Sequence, residues 1–135
     1  MISKIIKGKF ADKPVTLWGD GYQIRELIHV SEFIQTLLSV NLSVSNEIIN
    51  IGSGQGCTIR EFAEIICTYL SFDHQKIQYD ISKYVGAKSK VLNIDKLNKI
   101  LPKRKQISLK QGLDETIEWF YKEVYLKNNA LEFSR

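Results

Sequence analysis

Apolar and polar positions along this chain switch between two periods, and the switches mark its elements. Ile2, Ile5 and Ile6 share one side of a helical stretch over Ile2 to Phe10 whose other side is basic. Pro14 to Trp18 (PVTLW) is a short strand, closed by the turn Gly19 to Gly21. Ile24 to Val30 (IRELIHV) predicts the next extended piece. Ser31 then caps a helix in which Phe33, Ile34, Leu37 and Leu38 fall on one face. Glu47 to Gly52 (EIINIG) is short, largely apolar and stopped by glycine. That is the pattern of a strand buried on both faces of a parallel sheet.

Thr58 and Glu61 form a capping box, T-x-x-E, ahead of an amphipathic helix lined by Ile59, Phe62, Ala63, Ile66 and Leu70. Lys76 to Asp80 and Lys90 to Ile94 read as two more strands, and Asp95 caps a short helix ending before Pro102. Ser108 and Gln111 make a second box, S-x-x-Q. It opens a long helix with Leu109, Leu113, Ile117, Phe120 and Val124 inside. No internal repeat appears. The class is α/β, with one domain over residues 1–126 and a tail over 127–135 expected to fray.

Composition narrows the choices. With 135 residues, 44% hydrophobic and 25% charged, the chain can bury a core like an ordinary globular domain. No apolar run is long enough to cross a bilayer, and Met1-Ile2-Ser3-Lys4 does not open a signal peptide, so a cytoplasmic location is expected. A net charge of +4 suits an anionic small ligand or mere solubility. The basic run Pro102 to Gln106 has no interleaved aromatic and reads as a solvated loop rather than a nucleic-acid patch. Cys57 and Cys67 read as reduced residues in or near the core. With His29 and His74 in unrelated contexts, no metal set is expected.

Two features carry candidate chemistry. Arg25 sits in a strand just after the turn, either neutralised by Glu26 or another acid or clamping an anion. The glycine loop Gly52 to Thr58 lies between a strand and a capped helix, where phosphates bind. Its spacing, G-x-G-x-G, is neither the dinucleotide pattern nor the Walker pattern, and no lysine follows. A tight strand-to-helix turn is the better reading.

Four stretches, in this order, give a family resemblance: VTLWGDGYQIRELIHVSEF, IINIGSGQGCTIREFAEII, SKVLNIDKLNKIL and ISLKQGLDETIEWF. The chain resembles the C-terminal, substrate-binding half of the extended short-chain dehydrogenase/reductases, the NAD-dependent epimerase/dehydratase family. The resemblance runs from about Ile2 to Glu123. It implies an α/β lobe carrying the last strand and helix of a Rossmann sheet, with the N-terminal Rossmann half absent.

By that resemblance Arg25 clamps the diphosphate of a nucleotide diphosphate sugar, GDP-linked rather than UDP- or dTDP-linked. A guanidinium offers a planar fork of donors for phosphate oxygens. Trp18 stacks beside the base or sugar. Lys90 matches a phosphate-contacting lysine of the family, and Lys88 stands where the family often has proline. The family's hydride and proton chemistry resides in its N-terminal half, with NADP(H) or NAD(H) as cofactor. No cofactor is expected to bind this chain alone, and no tyrosine is expected to have a lysine four residues on. Two roles stay open. One is the sugar-nucleotide-binding part of an epimerase/reductase, partnered by a separate Rossmann half. The other is a truncated, non-catalytic remnant that self-associates or binds another protein.

Overall fold

The computed structural model describes residues 1–127, so the expected tail, Lys127 apart, lies outside the described residues. Helix α1 (Ile2–Ala11) buries Ile5 and Ile6 and ends at Asp12 in a left-handed conformation, φ 49°. The chain turns back into β1 (Val15–Trp18), where Val15 and Leu17 point inward and Thr16 and Trp18 outward. β1 pairs in parallel with β4 (Ile77–Asp80), Val15 opposite Ile77 and Trp18 opposite Asp80. A parallel pair needs a long crossover, and this one contains the central helix α3 (Ile59–Leu70).

Helix α3 forms as its sequence predicts. The Thr58 hydroxyl accepts the Glu61 N–H while the Glu61 carboxylate accepts the Thr58 N–H at 2.6 Å. Its apolar stripe, Phe62, Ala63, Ile66, Cys67 and Leu70, packs against α1 on one side and α5 (Leu109–Trp119) on the other. Ile66 and Ile117 are fully buried, so truncating either to alanine should cost about 2–5 kcal/mol. Cys67 lies in this core and Cys57 at its margin, both as free thiols.

A second sheet has β2 (Ile24–Glu26) in the middle, antiparallel to β3 (Gly56–Thr58) and parallel to β5 (Ser89–Lys90). Of the outer strands, β3 lies in what the sequence pattern gives as the glycine loop, and β5 is shorter than the pattern suggests. The predicted strand over Lys90 to Ile94 stops after Lys90 because the Leu92 N–H is taken by the Glu26 carboxylate, at 2.6 Å. Likewise β2 ends at Glu26, and α2 (Val30–Ser43) begins four residues later. Its N-cap is His29 rather than Ser31. The Ser31 hydroxyl lies inside the first turn, 2.7 Å from His29 Nδ1.

Residues 47–52 do not form the buried strand that their sequence predicts. No neighbouring strand runs beside them among the described residues, and Ile48 is 90% exposed. They are held instead by side chains: Lys96 Nζ meets the Ile48 carbonyl at 3.0 Å, and Asn50 reaches the Asn93 carbonyl at 3.1 Å. On α2 the inward face is Glu32, Thr36 and Val40, while Ile34, Leu37 and Leu38 are exposed. An apolar stripe is therefore left facing solvent.

Four smaller corrections concern the C-terminal part of the chain. Helix α4 (Asp95–Ile100) is preceded by Ile94 as N-cap, and Asp95 is its first residue, its N–H bonded to Asn93 Oδ1. Ser108 does cap α5, but the Gln111 side chain turns forward to Glu115, so only half of the box forms. Past Trp119 the helix widens into a π-helix over Phe120–Leu126, where Phe120 and Val124 are half-buried. There Tyr121 and Tyr125 stack with Phe10 of α1, at 5.8 and 5.0 Å between ring centres. Finally, the basic run is not wholly solvated, because Arg104 folds inward to meet Glu32.

Candidate ligand site at the tryptophan–glycine turn

The turn after β1 exists because two glycines take the left-handed conformation, φ 81° at Gly19 and 80° at Gly21. Asp20 Oδ1 accepts the Tyr22 N–H, and the Gly19 N–H reaches back to the Asp80 carbonyl at 2.8 Å. Arg60, from the first turn of α3, then fixes the whole. Its Nε donates to the Asp20 carbonyl at 2.9 Å, and its guanidinium lies 4.2 Å from the Tyr79 ring centre and 4.5 Å from that of Tyr22. A β-carbon at Gly21 would come within 2.5 Å of the Tyr79 ring. The turn is thus pressed against the core.

Trp18 emerges from this frame 57% exposed. With Lys4, Gln23, Tyr84, Val85 and Gly86 it lines an open groove of about 520 Å3. The Lys4 ammonium lies 5.9 Å from the indole centre, and Gln23 Nε2 holds the Trp18 carbonyl at 3.2 Å. A flat ring presented beside a cation suits an aromatic or sugar ring bearing negative charge.

Arg25 is already engaged. Its Nη1 donates to the carbonyls of Ile24 (2.7 Å) and Ala87 (3.0 Å), and its Nη2 to that of Val85 (3.0 Å). Among the described residues no carboxylate lies within ion-pair distance, so neither Glu26 nor any other acid neutralises it. The guanidinium ties down the 85–87 loop that also walls the Trp18 groove, and its charge stays uncompensated. Lys90 is the register partner of Arg25 across β2 and β5, and the Lys88 carbonyl accepts the Ile24 N–H at 2.8 Å. Trp18, Arg25, Lys88 and Lys90 are therefore gathered around the single segment 84–90. Lys88 and Lys90 are exposed, and Lys90 lines a separate cleft with Glu26, Gly52 and Leu92.

Glu26 has a different task, which the sequence pattern does not announce. Its Oε1 accepts the Gly54 N–H at 2.9 Å and lies 3.4 Å from the Ser53 hydroxyl, while its Oε2 accepts from Leu92. A β-carbon at Gly52 would sit 2.1 Å from Oε1. The glycine loop thus already cradles an anion, one supplied by the chain itself. A pyrophosphate does not fit there, because it would meet a carboxylate at the donors it needs.

Two tyrosines do have a lysine four residues on, contrary to expectation: Tyr79 with Lys83, and Tyr84 with Lys88. Neither pair lies on a helix. Tyr79 is in β4 with Lys83 in the turn beyond, and residues 84–88 are irregular, so the spacing does not place hydroxyl and amine on one face. Burial pushes the Tyr79 phenol up, with Arg60 opposing. A proton-transferring tyrosine needs the opposite shift.

With this geometry in view, comparison with known proteins gives a consistent answer. The model of the NAD dependent epimerase/dehydratase family matches residues 1–52. The chain is 35% identical to GDP-L-fucose synthase 1 of Arabidopsis thaliana over 113 residues, covering 82% of this chain and 34% of that protein. In fold it is similar to a GDP-L-fucose synthetase from Naegleria fowleri bound to NADP, with TM-score 0.82, 21% identity and coverage of 90% of this chain and 38% of that one. It is also similar to UDP-N-acetylglucosamine 4-epimerase from Methanobrevibacter ruminantium in complex with UDP-N-acetylmuramic acid. There the TM-score is 0.75 and the identity 28%, over 92% of this chain and 40% of that one. The chain spans about a third of the length of the curated relatives it matches. It belongs to the NAD-dependent epimerase/dehydratase family, as the C-terminal portion of an extended short-chain dehydrogenase/reductase.

Proposed function

We propose that this chain is the nucleotide-sugar-binding portion of an NAD(P)-dependent epimerase/reductase. It takes a nucleotide diphosphate sugar, GDP-linked in preference to UDP- or dTDP-linked, and is not catalytically competent alone. The observation that carries this reading is the exposed Trp18 in a groove walled by the loop that the uncompensated Arg25 holds, with Lys88 and Lys90 on the same segment. The preference for guanosine is supported by a relative, which is named a GDP-L-fucose synthase. In this reading Trp18 packs on the base or sugar and the cations meet the diphosphate. A Rossmann half that is not part of these 135 residues supplies cofactor and proton transfer.

A second reading has its own support. The exposed Ile34, Leu37 and Leu38 of α2 suit a non-catalytic module that associates with its own copies. Calorimetry with a panel of GDP-, UDP- and dTDP-sugars separates the two. Saturable binding of the GDP-sugar, tightest of the panel, supports the first; no binding of any member overturns it. Tryptophan fluorescence should show no saturable quenching by micromolar NADPH, and a saturable signal would refute the claim that the cofactor site lies elsewhere.

A further inference from the structure

Tyr84 is tied on both sides of its backbone and uncommitted at its ring. Before it, the chain leaves β4 through a turn around Asp80, whose Oδ1 accepts the Ser82 N–H at 3.0 Å and the Ser82 hydroxyl at 2.6 Å. The Asp80 carbonyl accepts the Lys83 N–H at 3.3 Å. After it, Arg25 donates to the carbonyls of Val85 and Ala87, both at 3.0 Å. The Val85 side chain packs on the tryptophan–glycine turn, where a β-carbon at Gly19 would stand 2.5 Å from its Cγ1. The Tyr84 ring itself is 89% exposed. Among the described residues it has no stacking, cationic or hydrogen-bonding partner.

That ring lines the same groove of about 520 Å3 as Trp18, although the two lie far apart in the sequence. Strand pairing brings them together. Trp18 closes β1 opposite Asp80, the last residue of β4, and the Gly19 N–H returns to the Asp80 carbonyl. Trp18 is 57% exposed, and its indole is met only by Lys4 at 5.9 Å, the outer edge of cation–π range. A single exposed ring is common on a protein surface and calls for no ligand. Two on one groove, each mounted on a fixed backbone and open to solvent, are a different case. Tyr and Trp turn about only two side-chain torsions, so closing on a ligand costs them little entropy. A flat ring held between two aromatic faces gains on both sides. No carboxylate lines the groove, and its one ionic side chain is Lys4, which disfavours a cationic ring and suits one that carries phosphate.

We propose that Tyr84 is a specificity-determining residue. Its ring folds over the nucleobase stacked on Trp18 and completes an aromatic clamp. A purine is favoured over a pyrimidine there because two fused rings cover more of both faces. This rests on the nucleotide-sugar reading and adds to it the residue that sets the guanosine preference.

The test is calorimetry of the full chain with GDP and UDP, beside an NMR titration of its aromatic protons. Because the Tyr84 ring packs on nothing, Tyr84→Ala should unfold at the same temperature as wild type. It should weaken GDP about tenfold and UDP about threefold, removing much of the preference. Tyr84→Phe keeps the ring and should bind GDP within about twofold of wild type. Tyr84→Leu keeps apolar bulk without a flat face and should behave as Tyr84→Ala does. In the wild-type spectrum GDP should move the ring protons of Trp18 and Tyr84 together and leave those of Trp119 in place, while inorganic pyrophosphate should move none of them. Equal GDP affinity in wild type and Tyr84→Ala, an equal loss for GDP and UDP, or a Tyr84→Leu variant as tight as wild type would overturn the clamp. Trp18→Ala separates that result from a failure of the reading beneath it. If Trp18→Ala loses GDP while Tyr84→Ala keeps it, the nucleotide-sugar reading stands and the clamp falls. If wild type binds neither nucleotide, both fall.

Discussion

Glu26 Oε1 accepts the backbone N–H of Gly54 at 2.9 Å, so a side chain of the central strand occupies the glycine loop of the following crossover. The other oxygen holds the Leu92 N–H at 2.6 Å, which makes Glu26 the tie between β2, the loop and the chain leaving β5. Glu26→Ala strands both donors and should cost about 2–3 kcal/mol of stability. Glu26→Gln retains one acceptor and should cost about 1 kcal/mol. Denaturant unfolding measures both. Equal stability of Glu26→Ala and wild type would mean the loop donors find other acceptors.

Arg25 has two separable effects. Its charge should contribute to any nucleotide-sugar affinity, and Arg25→Ala should lose on the order of 2 kcal/mol of binding. Its three carbonyl contacts also hold the 85–87 loop, so the same change should speed hydrogen exchange there. Arg25→Lys keeps the charge without the fork. It should restore part of the affinity and little of the loop protection. Unchanged affinity in Arg25→Ala would remove this residue from the site.

The bare face of α2 predicts self-association. Leu38 is 61% exposed, with Ile34 and Leu37 beside it at 46% and 43%. Apolar patches of several hundred Å2 are uncommon on free monomers. Light scattering across a dilution series should therefore show oligomers that Leu37→Glu disperses. A clean monomer at high micromolar concentration, insensitive to Leu37→Glu, would argue that this face needs no cover.

Cys67 gives the alkaline side of the stability profile. Burial, helped by the Asp73 charge, pushes its thiol up to about 11 from the ordinary 9.0. The unfolded chain therefore loses this proton first as pH rises. The stability it contributes is intact below pH 9 and drains away as pH approaches 11. Cys67→Ala should lower stability near neutrality by removing packed atoms, yet flatten its decline above pH 9. Urea midpoints at about pH 8 and about pH 10 give the comparison. Parallel declines in both proteins would assign the alkaline loss to other groups.

What the sequence reveals follows how local each decision is. Helix α3 is legible because its cap, Thr58 with Glu61, and its stripe from Phe62 to Leu70 are settled within one continuous stretch of the chain. The turn around Gly19 and Gly21 is legible because positive φ selects glycine. Residues 47–52 mislead, because a strand is defined by a neighbour and none among the described residues stands beside them. Ser31 misleads because its hydroxyl is bonded to His29, and Lys90 to Ile94 because Glu26 claims the Leu92 N–H. At the candidate site, the placing of Trp18 and Arg25 on either side of a glycine turn is legible from the W-G-x-G pattern. The contacts of Glu26 and Arg60 are not, since their partners lie 28 and 40 residues away. The inward turn of Arg104 depends on Glu32, 72 residues earlier in the chain. The tyrosine–lysine spacings show the converse, a pattern present in the chain and undone by the absence of a helix beneath it.

The clasp of Arg60 on the turn gives the site an inherited shape. Trp18 and Arg25 are separated by a turn whose carbonyl at Asp20 is held from α3, and α3 is seated by Phe62, Ile66 and Leu70 deep in the core. The spacing between ring and guanidinium is thus a property of how that helix settles, not of the loop alone. Evolution can therefore retune this pocket from behind. A change of one methylene under α3 would shift the gauge at which ring and charge are set, without touching either residue.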